Sequence, residues 1–124
     1  IVFGPHPRDF AKKVNKKTVA LAFRRALSEK IAGGAVAVAA GLEGVAPKTK
    51  ALAGLLKKVA GGRATLFVTG AANLNLNRAA RNVPKVEVTT AAQAHTYQIQ
   101  RYPVIVADAA GLEALQARLS EGAE

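Results

Sequence analysis

The sequence predicts an α/β fold: a three-layer sandwich with a mostly parallel sheet, alternating strands and helices, and a basic N-terminal arm. Three observations point there. Short apolar runs bounded by glycine, such as Gly33-Gly34-Ala35-Val36-Ala37-Val38-Ala39, alternate with stretches whose leucines recur at helical spacing. Strands that alternate with helices pair in parallel through right-handed crossovers, which places helices on both faces of the sheet. Half of the 124 residues are hydrophobic, so the chain has the apolar surface for a core despite a formal net charge of +10.

The elements follow in order. Gly4-Pro5-His6-Pro7 cannot continue a helix, because each proline fixes its own φ and pushes its predecessor towards extended geometry. Residues 1–15 therefore read as a basic extended arm. A basic amphipathic helix is expected over 16–31, with Val19, Phe23, Ala26 and the aliphatic stem of Lys30 on one side and Lys17, Arg24, Arg25 and Ser28 opposite. The run Ala35–Ala39 reads as a strand buried on both faces. Pro47 suits a first helical position, and Leu52, Leu55, Leu56 and Val59 then repeat at i, i+3, i+4, i+7, until Gly61-Gly62 ends the helix. The alternation recurs in a strand from Ala64 to Thr69, a short helix near Leu74 to Arg81, a strand from Val86 to Thr89 and a helical turn near Ala92 to Gln100. The clearest strand is Val104-Ile105-Val106-Ala107, with Asp108 as N-cap of a last helix carrying Leu112, Leu115 and Leu119.

One domain over 1–124 accommodates this length, and neither a fixed-period repeat nor a low-complexity linker divides it. The sequence has no cysteine, which excludes disulfides, thiolate nucleophiles and cysteine-held metal. No apolar run approaches the roughly 20 residues needed to span a bilayer.

Parallel α/β sheets often bind nucleotides at the carboxyl ends of their strands, so the enzyme reading has to be tested. A dinucleotide fingerprint needs its glycines after a strand, at the start of the next helix, whereas Gly33-Gly34 and Gly61-Gly62 precede strands. Thr69-Gly70-Ala71-Ala72 has the right placement but lacks the further glycines and the lysine, and reads as a plain βα turn. Asp108 has no second carboxylate, histidine or serine near it in sequence, which favours a capping role over acid catalysis. His6 and His95 lie far apart and in unlike surroundings, so they offer no metal-ligand or catalytic pairing. His95 reads as structural. His6, between prolines and close to Arg8, is a candidate for stacking on a base or donating to a phosphate, or else a solvated loop side chain.

Charge carries more information. The first 30 residues hold eight cations, Arg8, Lys12, Lys13, Lys16, Lys17, Arg24, Arg25 and Lys30, against Asp9 and Glu29. Cations at that density repel one another unless an anionic partner compensates, which points to nucleic acid. Aromatics are few, and no stretch interleaves them with cations as a base-stacking sheet would, so binding is expected to work through phosphates and shape, with steep salt dependence.

The segment Val2-Phe3-Gly4-Pro5-His6-Pro7-Arg8-Asp9-Phe10, with Lys12-Lys13-Val14-Asn15-Lys16-Lys17 and Leu21 to Lys30, strongly resembles the family of the fourth large-subunit ribosomal protein of bacteria. Pro47-Lys48-Thr49-Lys50, Ala80-Arg81-Asn82-Val83-Pro84 and Arg101-Tyr102-Pro103-Val104-Ile105-Val106 extend the resemblance over essentially the whole chain. It implies a non-catalytic α/β domain on the large subunit, bound to 23S-type rRNA beside neighbouring ribosomal proteins. It also implies support of subunit assembly, no cofactor, no metal, no small-molecule substrate, no membrane, and a cytoplasmic ribosome, with an organelle ribosome as the alternative. By the same resemblance, the rRNA contacts fall on Gly4, Pro5, Arg8, Lys12, Lys13, Asn15, Lys16, Lys17, Arg24 and Arg25, and secondarily on Lys48, Lys50, Arg81 and Asn82. In the family an N-terminal strand and a loop reaching the exit tunnel precede the Phe-Gly-Pro motif, so this sequence is expected to lack both. Two other readings stand beside it: an autoregulator that binds its own mRNA leader, and, more remotely, a nucleotide-dependent α/β enzyme.

Overall fold

The computed structural model describes residues 1–121. Its elements are α1 (Lys16–Ala32), β1 (Val36–Val38), a 3-10 turn (Leu42–Gly44), α2 (Thr49–Ala60), β2 (Thr65–Thr69), α3 (Leu74–Ala80), β3 (Val86–Thr90), α4 (Thr96–Arg101), β4 (Val104–Ala107) and α5 (Ala109–Glu121). All pairings in the four-stranded sheet are parallel, in the order β1-β4-β2-β3. The expected alternation of strands and helices is therefore present, and so are the three layers.

The sheet's two faces carry two apolar clusters. On one, Leu66, Val68 and Ile105 pack under Phe23, Ala26 and Leu27 of α1, Ile99 of α4 and Leu115 of α5. On the other, Phe67, Val104 and Val106 pack under Leu52 and Leu56 of α2 and Leu76, Ala79 and Ala80 of α3. Adjacent strand residues such as Leu66 and Phe67 enter opposite clusters because side chains alternate across a strand.

Close packing fixes α5 against β2. A Cβ on Gly111 would lie 2.6 Å from the Val68 carbonyl oxygen, and one on Gly70 would lie 2.8 Å from the Ala110 Cβ. The glycine after β2 is therefore filled by helix α5, consistent with a plain βα turn.

Several local expectations need correction. The run Ala35–Ala39 is not buried on both faces. Only Val36–Val38 are strand, they form an edge, and Val38 is 58% exposed. Strand order decides this, since β4 takes the interior place beside β1. Pro47 is not the first helical residue. It sits at the centre of a tight turn in which the Lys48 N–H donates to the Ala46 carbonyl, and α2 starts at Thr49 behind an extended Lys48. On α2 the buried stripe runs Leu52, Leu56, Ala60, while Val59 is exposed, and Gly61 ends the helix at φ +59°. On α1, Leu27 is buried and Val19 is exposed, a rotation of the expected apolar face. The turn expected near Ala92 to Gln100 is helical only from Thr96, because His95 caps it.

The histidine cap agrees with a structural role for His95. Its Nδ1 accepts from the Gln98 N–H at 3.4 Å, while Gln98 Oε1 accepts from the His95 N–H at 3.2 Å. Asp108 stands ahead of α5 as expected, its carboxylate accepting from the Ala109 N–H at 2.7 Å.

Candidate nucleic-acid interface

Residues 1–15 form no helix or strand, and apart from a half-buried Gly4 every one of them is exposed. The composition explains this: two prolines remove donors, and clustered lysines cannot be buried without partners. Local contacts give the arm some shape. The Ala11 N–H donates to the Asp9 carboxylate at 2.8 Å, and the Arg8 guanidinium carbon lies 4.7 Å from the centre of the Phe10 ring. Asn15 is the extended residue at the head of α1, and no helix N–H donates to its side chain.

The expected contact residues divide by position. Pro5, His6, Arg8, Lys12, Lys13, Asn15, Lys16, Lys17 and Arg25 are all exposed on the arm or along α1, and Gly4 lies among them. Arg24 differs. It is half-buried and donates to the Leu119 carbonyl at 3.0 Å, so it ties α1 to α5 instead of lying opposite the core as expected. Lys48 and Lys50 start α2 on the other face of the sheet, at the strands' carboxyl end. Arg81 and Asn82 follow α3, at the amino end. The arm and α1 residues are thus contiguous along the chain, and the secondary set lies in two separate places.

Further cations lie where the sequence pattern gave no prominence. Exposed Arg63, Lys85 and Arg101 each stand just ahead of β2, β3 and β4, and register pairs Thr65 with both Val86 and Val104. The parallel sheet therefore sets a basic belt along one end. The signal was a cation ahead of three successive strands, which only parallel pairing turns into a cluster.

At the carboxyl end of the sheet, a recess of about 400 Å³ is bordered by Glu43, Thr69, Asn73 and Asp108. Three of its polar side chains are engaged locally. The Thr69 hydroxyl donates to the Ala71 carbonyl, Asn73 donates to the Leu42 carbonyl and accepts from the Leu76 N–H, and Asp108 accepts from Ala109. No lysine, arginine or histidine borders it, so a phosphate would find no cation there. Among the described residues no helix is long and apolar enough to cross a membrane, and no group of three or more His, Cys, Asp or Glu is placed to hold a metal.

A sequence profile of the ribosomal protein L4/L1 family matches residues 1–118. The chain belongs to the ribosomal protein L4/L1 family. Among its relatives, the large ribosomal subunit protein uL4 of Desulforudis audaxviator is 40% identical over 106 residues, covering 86% of this chain and 51% of that protein. The uL4 of Nitratidesulfovibrio vulgaris is 39% identical over 122 residues, covering 96% of this chain and 57% of the relative. That of Oenococcus oeni is 37% identical over 106 residues. The chain spans about half the length of the curated relatives it matches. The family match takes in the arm, α1 and all four strands, so every expected contact residue lies within it.

Proposed function

We propose that this chain binds 23S-type rRNA as part of a large ribosomal subunit and supports assembly there, with no catalytic role. The observation that carries this reading is the arm running into α1. From Arg8 to Arg25 it holds seven of the chain's cations against one acid, nearly all exposed and none except Arg24 committed to a carbonyl of the fold. An exposed arm outside both apolar clusters gains its contacts from a partner, and a chain of this charge gains them from phosphates. The proposed contacts are Gly4, Pro5, His6, Arg8, Lys12, Lys13, Asn15, Lys16, Lys17, Arg24 and Arg25, with Lys48, Lys50, Arg81 and Asn82 as outlying ones. RNA that orders the arm and protein that neutralises packed RNA helices stabilise each other by linkage. Neighbouring large-subunit proteins are the further partners, and the ribosome, in the cytoplasm, is the location.

The test is affinity for a large-subunit rRNA fragment as a function of salt, since the logarithmic slope counts released counterions at about 0.7 to 0.9 per phosphate contact. A steep slope together with preference over unrelated RNA supports the reading. Weak binding without preference overturns it.

A further inference from the structure

The chain has four phenylalanines, and they divide sharply: Phe23 and Phe67 are core residues at 3% and 0% exposure, whereas Phe3 and Phe10 on the arm are 95% and 73% exposed. A large apolar ring left in water gains free energy when a partner covers it. Charge identifies the partner. Phe10 lies between Arg8 and the Lys12-Lys13 pair, and lysine is depleted from the desolvated centres of protein interfaces, so a protein surface is a poor match. A nucleotide suits both halves of the pattern, because its base presents a flat π face and its phosphate a charge.

We infer that Phe10, backed by Arg8, and Phe3 stack on unpaired bases of the bound RNA, so that the arm distinguishes loops and bulges from continuous duplex. This rests on the RNA-binding reading above and refines it from phosphate contact alone. The guanidinium carbon of Arg8 sits 4.7 Å from the Phe10 ring centre, covering one face of the ring and leaving the other open. A base slid onto that open face completes a three-layer stack, and the remaining guanidinium N–H groups are free to donate to the adjoining phosphate. A base within a duplex is already stacked on both sides and cannot enter it.

The experiment uses the full chain and two synthetic RNAs of equal length and charge, a hairpin with an unpaired purine loop carrying 2-aminopurine and a continuous duplex. Wild-type protein is compared with the Phe3→Leu/Phe10→Leu double variant, which keeps the arm apolar and touches no part of the core. The expected result is a loss of at least about fivefold in affinity for the loop, the lower limit for one stacked base, with no change for the duplex or for the salt slope. Stacking quenches the 2-aminopurine fluorescence of the loop in the wild-type complex, and the variant restores it. Equal affinities of variant and wild type for the loop, or an equal loss on both RNAs, overturn the stacking inference while leaving the RNA-binding reading intact. Absence of salt-dependent binding of wild type to either RNA overturns both.

Discussion

The guanidinium of Arg118 lies over the ring of Phe23, 4.2 Å from its centre, and donates to the carbonyls of Ala91 at 2.9 Å and Ala94 at 2.7 Å. One side chain of α5 thereby binds α1 and the segment between β3 and α4. Removing it leaves two inward carbonyls without their charged donor and uncovers a core ring. Arg118→Ala is expected to destabilise the fold by about 2 to 4 kcal/mol, the combined effect of two hydrogen bonds from one charged group and a cation–π contact. Urea unfolding measures this, and an unchanged midpoint would mean the guanidinium adds nothing to the docking of α5.

The tight contact of α5 with β2 is open to a smaller change. Gly111→Ala places a methyl group 2.6 Å from the Val68 carbonyl oxygen, inside contact distance to rigid backbone. The helix must move outward, at a cost of about 1 to 3 kcal/mol. Alanine is otherwise the better helix former, so a stabilised variant in thermal unfolding would show that the contact relaxes freely.

Much of this architecture could be read from residue order. The leucines of α2 and the run Val104–Ala107 announce their elements by period and length, and Gly61-Gly62 marks the end of α2. Strand order was not legible. Nothing in Ala35–Ala39 says that β4 will take the interior position, so the run reads as a strand buried on both faces, whereas β1 is a half-exposed edge. Periodicity also placed Arg24 with Arg25 on the outer side of α1. A rotation of the apolar face towards Leu27 brings Arg24 within reach of Leu119, a partner 95 residues away that no local pattern encodes. The candidate interface was legible because it depends on composition, since an arm without a fold keeps its charges where the sequence puts them. The exposure of Phe3 and Phe10 needed the structure, because an isolated phenylalanine normally reads as core.

Tyr102 gives the fold a dependence on alkaline pH. Burial, with the neighbouring Glu87 carboxylate, raises its hydroxyl above the ordinary 10.0, and the nearby Arg101 offsets this only in part. The folded state therefore holds the proton more tightly than the unfolded chain. The stabilisation is fully present below pH 10.0 and is lost as pH rises through the folded-state value. Wild type is expected to lose stability in this range more steeply than Tyr102→Phe, as measured by urea midpoints between neutral and alkaline pH. Parallel curves would place the titrating group elsewhere.

Arg24 and Arg25 are neighbours in sequence with different tasks, which allows binding to be separated from folding. Arg25 is exposed, so Arg25→Ala is expected to leave the unfolding midpoint within about 0.5 kcal/mol of wild type while weakening rRNA binding and lowering the salt slope by about one phosphate contact. Arg24 donates to the Leu119 carbonyl at 3.0 Å, so Arg24→Ala is expected to lose about 1 kcal/mol of stability as well. Reversing Lys12, Lys13, Lys16 and Lys17 to glutamate supplies the limiting case. These side chains are exposed and lie outside both apolar clusters, so the variant should fold, and its affinity for rRNA should fall by far more than that of Arg25→Ala. A folded four-fold variant that still binds with wild-type affinity would remove the arm from the interface and leave the belt of Arg63, Lys85 and Arg101 as the surface to test next.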